Sequence, residues 1–498
     1  MKHKHHILYF IILLLSTVDL HAQSPQVIRV SQVKEGNTIG DALQRHGDHF
    51  YMSVAKRNNM SDELTEDLII DSLPLITVID TITNYTQLHH GTVVLDYKVG
   101  EGFVDYDFFS NMVWKGIFFN DGYYRNDSIM AFAYNSKLLS WNGVKHLPEG
   151  LGDTLYSNKT EMYVAVVDHR TDSLLFMARG GFDSRLDADR LTLDGEFLYL
   201  VTRNADDTFT FMGDFFPEVI DPNWNVKHIH KINWKTGEKV WSRQFSTDID
   251  QDYVFEVKVV EDGNLIIAKT ITGRTHWDGE PIPGNTVYDS GYAFFKISPD
   301  GNLVDYIQSE CDCKGFHKIQ IEDDGALMLH GGQTHIPRLT LGDTFIEDIH
   351  SDTLIGIFGY VPPNWENAWI KSYYTESGSA VTGAGYSYDK QTIIPFITYR
   401  DSFEVEGFNF ATADRGLYDD PSDGRSETLI LGYDALGNLT QNPISLPLDA
   451  WVYEIHELSE NHYLFFMEEK WDNTSILFGT SLESYDAPNF QLFEIEGD

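Results

Sequence analysis

The chain has 498 residues, 42% of them hydrophobic and 13% aromatic, which is enough for a large packed core and too much for a disordered chain. Acidic residues number 76 against 36 basic, a formal net charge of −40. That balance argues against nucleic acid or an anionic membrane surface as partner, since both demand basic patches.

The chain opens as an export signal. MKHKHH is a basic start, ILYFIILLLSTV is an apolar run too short to span a bilayer, and Leu20-His21-Ala22 fits a cleavage site before Gln23. The expectation is a signal peptide over 1–22 and a single domain over 23–498. The mature protein is then soluble, monomeric and not membrane-inserted, and is secreted, at the cell surface or in the periplasm. Next comes a β-run, Gln26 to Val33, and then the one stretch with helical character, NMSDELTEDLI from Asn59.

From there the chain is organised by a repeated β-rich phrase. Its clearest copy is YAFFKISPDGNLVDYIQ, from Tyr292 to Gln308. Taking Val94, Val166, Ile232, Ile297, Phe358, Leu431 and Leu492 as equivalent, the steps are 72, 66, 65, 61, 73 and 61 residues. A period of this size signals a repeat architecture. The best copies are preceded by a second hairpin pattern, with β-runs flanking Asp194-Gly195, Asp262-Gly263 and Asp324-Gly325. Gly supplies the positive φ that tight primed turns need. Two hairpins per repeat give four short antiparallel strands, and radial stacking of such sheets buries their apolar faces.

The expected fold is therefore all-β, a seven-bladed β-propeller of four-stranded blades. The last copy ends at FQLFEIEGD, one strand short, and Gln26–Val33 is placed to complete that blade and close the ring.

Candidate chemistry is sparse. Asp248, Asp250 and Asp252 in DIDQD set alternating carboxylates on one loop, as calcium prefers, although Tyr253 and Val259 stand where an EF-hand has Gly and Glu. Asp419, Asp420 and Asp423 form a second acidic cluster, read first as a turn. Cys311 and Cys313, the only cysteines, are open to three readings: a strained disulfide, a soft-metal half-site or two incidental thiols. His228 and His230 alternate on one strand and share a face, as two metal ligands or as part of a polar outer face. The chain has no GxSxG, HExxH, P-loop or GxGxxG pattern.

WKTGEKVW, Trp234 to Trp241, resembles one repeat of the quinone-dependent propeller dehydrogenases, whose tryptophans dock between blades. The other copies show no corresponding Trp pair in sequence, so no quinone site is carried over. More broadly, Lys296, Asp300, Gly301, Asn302 and Leu303, matched in part by Asp434, Gly437, Asn438 and Leu439, resemble the degenerate propeller repeats of proteins secreted by Bacteroidota bacteria. That resemblance implies a fold and no reaction. The PNW triplets ending at Trp224 and Trp365 are out of register and read as loop packing. The functional expectation is a binding or scaffold module for a protein or glycan, without catalysis or cofactor. The alternative is a polysaccharide hydrolase or lyase with acidic residues lining the channel.

Overall fold

The computed structural model describes 26–34, 38–39, 44–57, 69–70, 89–112, 123–141, 162–180, 186–204, 209–216, 225–247, 254–282, 291–310, 316–411, 427–446, 450–469, 476–477, 480–481 and 489–496, apart from a few short breaks. Every regular element among these residues is a strand; the helix expected from Asn59 and the export signal lie outside them. The strands form one five-stranded, three six-stranded and three four-stranded sheets and two separate two-stranded ribbons, arranged as a β-propeller.

Each sheet has a four-strand centre in chain order. The first uses Gln44–His46, His49–Arg57, His89–Lys98 and Gly102–Met112. The second uses Tyr123–Arg125, Ile129–Asn135, Met162–Asp168 and Ser173–Gly180. The third uses Leu186–Asp194, Phe197–Asn204, Asn225–Asn233 and Glu238–Thr247. The fourth uses Val254–Val259, Leu265–Ile271, Gly291–Ile297 and Leu303–Glu310. The fifth uses Lys318–Ile321, Leu327–Leu341, Thr344–Val361 and Trp369–Tyr373. The sixth uses Ser379–Tyr386, Ile393–Tyr399, Glu427–Ile430 and Ile444–Leu446. The last uses Ala450–Ser459, His462–Glu469 and Asn489–Glu496, against which Gln26–Lys34 pairs from Gln26↔Glu496 to Val33↔Phe490.

The equivalent positions chosen from the repeat all lie on, or directly after, the third strand of a sheet, and all are buried. Their apolar side chains fill the wedges between sheets. First strands of neighbouring sheets touch one another, as Val254–Val259 touches both Leu186–Asp194 and Lys318–Ile321, so they are innermost.

The three Asp-Gly pairs named from the repeat do make hairpins, but only one of the three belongs to a tight two-residue loop. Asp194 pairs with Phe197, and Gly195 (φ 56°) takes the first loop position. At Gly263, Gly325, Gly301 and Gly437 the glycine N–H instead donates three residues back, and the residue there donates to the carbonyl just after the glycine. This is a three-residue loop with glycine in the left-handed position, the bulged alternative to a primed turn.

Tryptophans tie sheet to sheet. Trp241, on the outer strand of the third sheet, donates from Nε1 to Pro299 O at 2.9 Å in the fourth. Trp369, on the outer strand of the fifth, donates to Ala435 O at 3.1 Å in the sixth. Trp234 and Trp365 donate to Gly195 O and Gly325 O within their own sheets, each at 3.1 Å. Trp365 and Trp369 are thus the counterpart that Trp234 and Trp241 lack in sequence. The spacing between the two tryptophans differs, and the fold absorbs the difference in the turn.

Four of the variable connections between second and third strands share one task. Leu138–Trp141 pairs on the outer strand of the first sheet, Phe209–Phe216 on that of the second, Thr275–Pro281 on that of the third, and Ile69–Ile70 on Gln26–Lys34. Each covers part of the preceding sheet's outer edge, where unpaired N–H and C=O groups would otherwise invite edge-to-edge pairing.

Candidate functional site

Three first strands carry charged or amide side chains at every second position with apolar residues between: Glu256 and Lys258; Lys318 and Gln320, with Glu322 next; Glu454 and His456. Period-two alternation puts the polar set on one side of each strand. At the axis these side chains meet. Lys318 Nζ lies 2.9 Å from Glu454 Oε1, and His456 Nε2 lies 2.8 Å from Glu454 Oε2. Lys258 pairs with Asp323 at 2.9 Å, and Gln320 Nε2 donates to Glu322 Oε1 at 2.6 Å.

The pair Lys318–Glu454 spans from the fifth sheet to the last, past the sixth. That reach crosses the sixth sheet's first strand, SAVTGAGY, in which Ser379, Ala380, Gly383, Ala384 and Gly385 leave little side chain to interpose. At Gly385 an added Cβ would stand 2.8 Å from Ile455 O, so the strand of the last sheet presses directly on its backbone.

The cluster divides its carboxyls. Burial opposes the charged form of Glu454, but the Lys318 ammonium and the His456 hydrogen bond outweigh it and hold the group at about 2. Burial pushes Glu256 up to about 7 against the pull of Lys258, and raises Glu322 as well. Every charged group here already holds an opposite charge, a backbone group or an amide.

A second charged knot joins the first two sheets. Arg125, with 2% of its surface exposed, reaches Asp107, Asp105 at 3.1 Å and Asp96 at 3.4 Å, and its guanidinium lies over the Tyr51 ring at 5.2 Å. Glu494 joins the last sheet to the first, accepting from Tyr97 Oη at 3.0 Å and the Gly100 N–H at 3.0 Å, with His462 at 2.8 Å.

The surface carries a different regularity. In four successive sheets the outer strand has a β-bulge, and the extra residue is aliphatic and exposed: Val104 (38%), Leu175 (45%), Val240 (46%) and Val304 (56%). Residues beside the bulges join three of these sheets. Phe176 sits against Gly237 of the next sheet, and Trp241 packs on Gly301 of the one after. The connections that cover the outer edges pair with the far halves of these strands, Gly180 and Phe245–Thr247, and leave the bulged halves open.

Of the residues singled out in sequence, His228 and His230 share a face, with rings 6.2 Å apart and nearly parallel. That face is interior and not a polar exterior: both are buried, and His230 bonds Thr202 Oγ1 at 3.1 Å and Ser242 Oγ at 2.8 Å. Burial pushes His228 down to about 4 and His230 well below its ordinary range, so both are neutral packing groups. Lys296 reaches Asp262 at 3.3 Å, and Asp434 caps its own turn through the N–H groups of Leu436 and Asn438; both are structural. Trp365 is buried, as loop packing requires. Asp248, Asp250, Asp252, Cys311, Cys313, Asp419, Asp420, Asp423 and Trp224 lie outside the described residues. No group of three or more metal-ligating side chains occurs among the described residues. No protein-family model matches the chain, and no curated protein matches it.

Proposed function

We propose that the protein is an exported binding or scaffold module without catalysis, a seven-bladed propeller whose last blade is completed by Gln26–Lys34, and that its ligand is a protein in preference to a glycan. The observation that carries the reading is the recurrence of an exposed aliphatic bulge residue, Leu175, Val240 and Val304, on three successive outer strands. Exposed apolar surface rimmed by polar residues is what protein partners bury. The axial charges, spent on one another, leave recognition to the exterior.

The test is retention of exported proteins on the immobilised full chain, with a glycan array run in parallel. The reading expects a protein retained by the wild type and lost from the Leu175→Glu, Val240→Glu, Val304→Glu triple variant. Glycan binding indifferent to the triple variant overturns it. Calcium at Asp248, Asp250 and Asp252 is a separate proposal, removed by a thermal melt that chelator leaves unchanged.

One observation favours the second reading, a polysaccharide hydrolase or lyase. Glu256 and Glu454 belong to one axial cluster whose surroundings push their acidities apart, as an acid and base pair requires. Release of sugar ends from a polysaccharide panel, lost in both Glu256→Gln and Glu454→Gln, would establish it. Absence of release removes it.

A further inference from the structure

Ile321 ends the first strand of the fifth sheet, and side chains of the fourth sheet take both of its backbone polar groups. Glu256 Oε2 accepts its N–H at 2.8 Å, and Lys258 Nζ donates to its C=O at 2.9 Å. Glu256 and Lys258 are two apart on one strand and point the same way, so they supply through side chains the ladder that an innermost edge lacks.

The charges around this cap do not balance. Glu256 faces Lys258 on its own strand, and Lys318 and Glu322 on the fifth sheet. Lys258 is committed to Asp323, and Lys318 to Glu454, itself shared with His456. Lys258 is therefore shared, since it is also the strongest opposite charge acting on both Glu256 and Glu322. Two enclosed carboxyls in this position cannot both ionise cheaply. Burial raises Glu256 to about 7 against the pull of Lys258 and the Ile321 N–H, and Glu322 adds to the rise.

We propose that this junction is a proton-operated latch between the fourth and fifth sheets. With a proton on Glu256, its carboxyl caps the Ile321 N–H and lies comfortably beside Glu322. Once the proton leaves, the gain of hydration, with repulsion from Glu322 added, outweighs the pull of Lys258 and of the Ile321 N–H and draws the side chain toward solvent, and the inner edge of the fifth sheet is uncapped. The latch concerns the fold itself and stands whether or not the outer row binds a partner.

Amide hydrogen exchange of the full chain, corrected for intrinsic rate, tests this at 318–321, with 265–271 as internal reference, at about pH 5.5 and about pH 8.5. The expected result is a loss of protection at 318–321 of roughly fivefold or more at the higher pH, with the reference unmoved. Glu256→Gln, which keeps a neutral acceptor at every pH, is expected to abolish the loss. Equal protection at both pH values in the wild type overturns the latch, as does the same loss in the variant. Should the variant not fold, the wild-type comparison with the reference strand decides alone.

Discussion

Trp241 and Gly301 are in contact across a sheet boundary so close that a Cβ on Gly301 would lie 2.9 Å from the indole ring. The same turn receives the Trp241 indole N–H at Pro299 O and the Arg243 guanidinium at Gly301 O, 2.7 Å away. One backbone turn is thus the socket for two side chains of the preceding sheet, and glycine is what keeps it open.

Gly301→Ala is therefore expected to cost about 3 kcal/mol, combining the strain of a side chain at φ 81° with displacement of the indole. Gly279→Ala is the control. Its φ is 84° and no atom lies within 4 Å of the added Cβ, so strain alone remains, about 1 kcal/mol. Urea denaturation of both variants, and of Gly301→Ala with Trp241→Ala already in place, separates the two terms. An equal cost in all three measurements would show that the indole plays no part.

Glu454→Gln is expected to destabilise by about 3 kcal/mol near neutral pH, because Lys318 stays enclosed without its counter-charge. The acid branch follows from the depressed acidity. Glu454 titrates at about 2 when folded against 4.5 when unfolded, so its contribution is complete above pH 4.5 and disappears as the pH falls toward 2. Denaturant midpoints between those limits should drop more steeply for the wild type than for the variant.

His228 gives a loss higher on the pH scale. Its folded value near 4 lies below the ordinary 6.5, so the unfolded chain takes up the proton first and stability falls as pH is lowered from 6.5 to 4. The change amounts to about 3 kcal/mol. His228→Leu should flatten that limb, and an unchanged slope would mean that the imidazole is reached by water. Glu256 acts in the opposite sense, its raised value favouring the folded state below pH 4.5 and withdrawing that support as pH rises through 7.

Val240→Glu and Val304→Glu should leave urea midpoints close to the wild type, within about 0.5 kcal/mol, since both side chains are half exposed on an uncovered edge. Any loss of partner binding in these variants is then a surface effect. A large loss of stability would mean instead that the aliphatic row packs against the protein itself.

Much of the architecture was legible in the chain. The period of the repeat located every third strand, which is apolar on both faces because it packs against a sheet on each side; Val166 and Ile232 fill one wedge from opposite sheets. The turn glycines were legible for a similar local reason, although loop length, set by the pairing on either side, chose the bulged turn over the primed one at most of them. The second Trp pair was missed because Trp365 and Trp369 are spaced differently from Trp234 and Trp241. The axial cluster left only a faint trace, the alternation in FEVKVV, HKIQIE and YEIHEL, which any half-exposed strand could show.

What the sequence determined by itself was the local grammar of strand, turn and strand. It did so because hairpin geometry and period-two burial are decided within a few residues. The tertiary structure decided which distant side chains face each other. Lys318 meets Glu454, and Glu256 meets Ile321, only because radial stacking brings first strands to one axis and a glycine-rich strand lets them close in. The irregular connections looked unrelated in sequence, and several share the task of covering the neighbouring sheet's edge. Backbone groups need covering whatever the side chains are, so that role left no common residues to read.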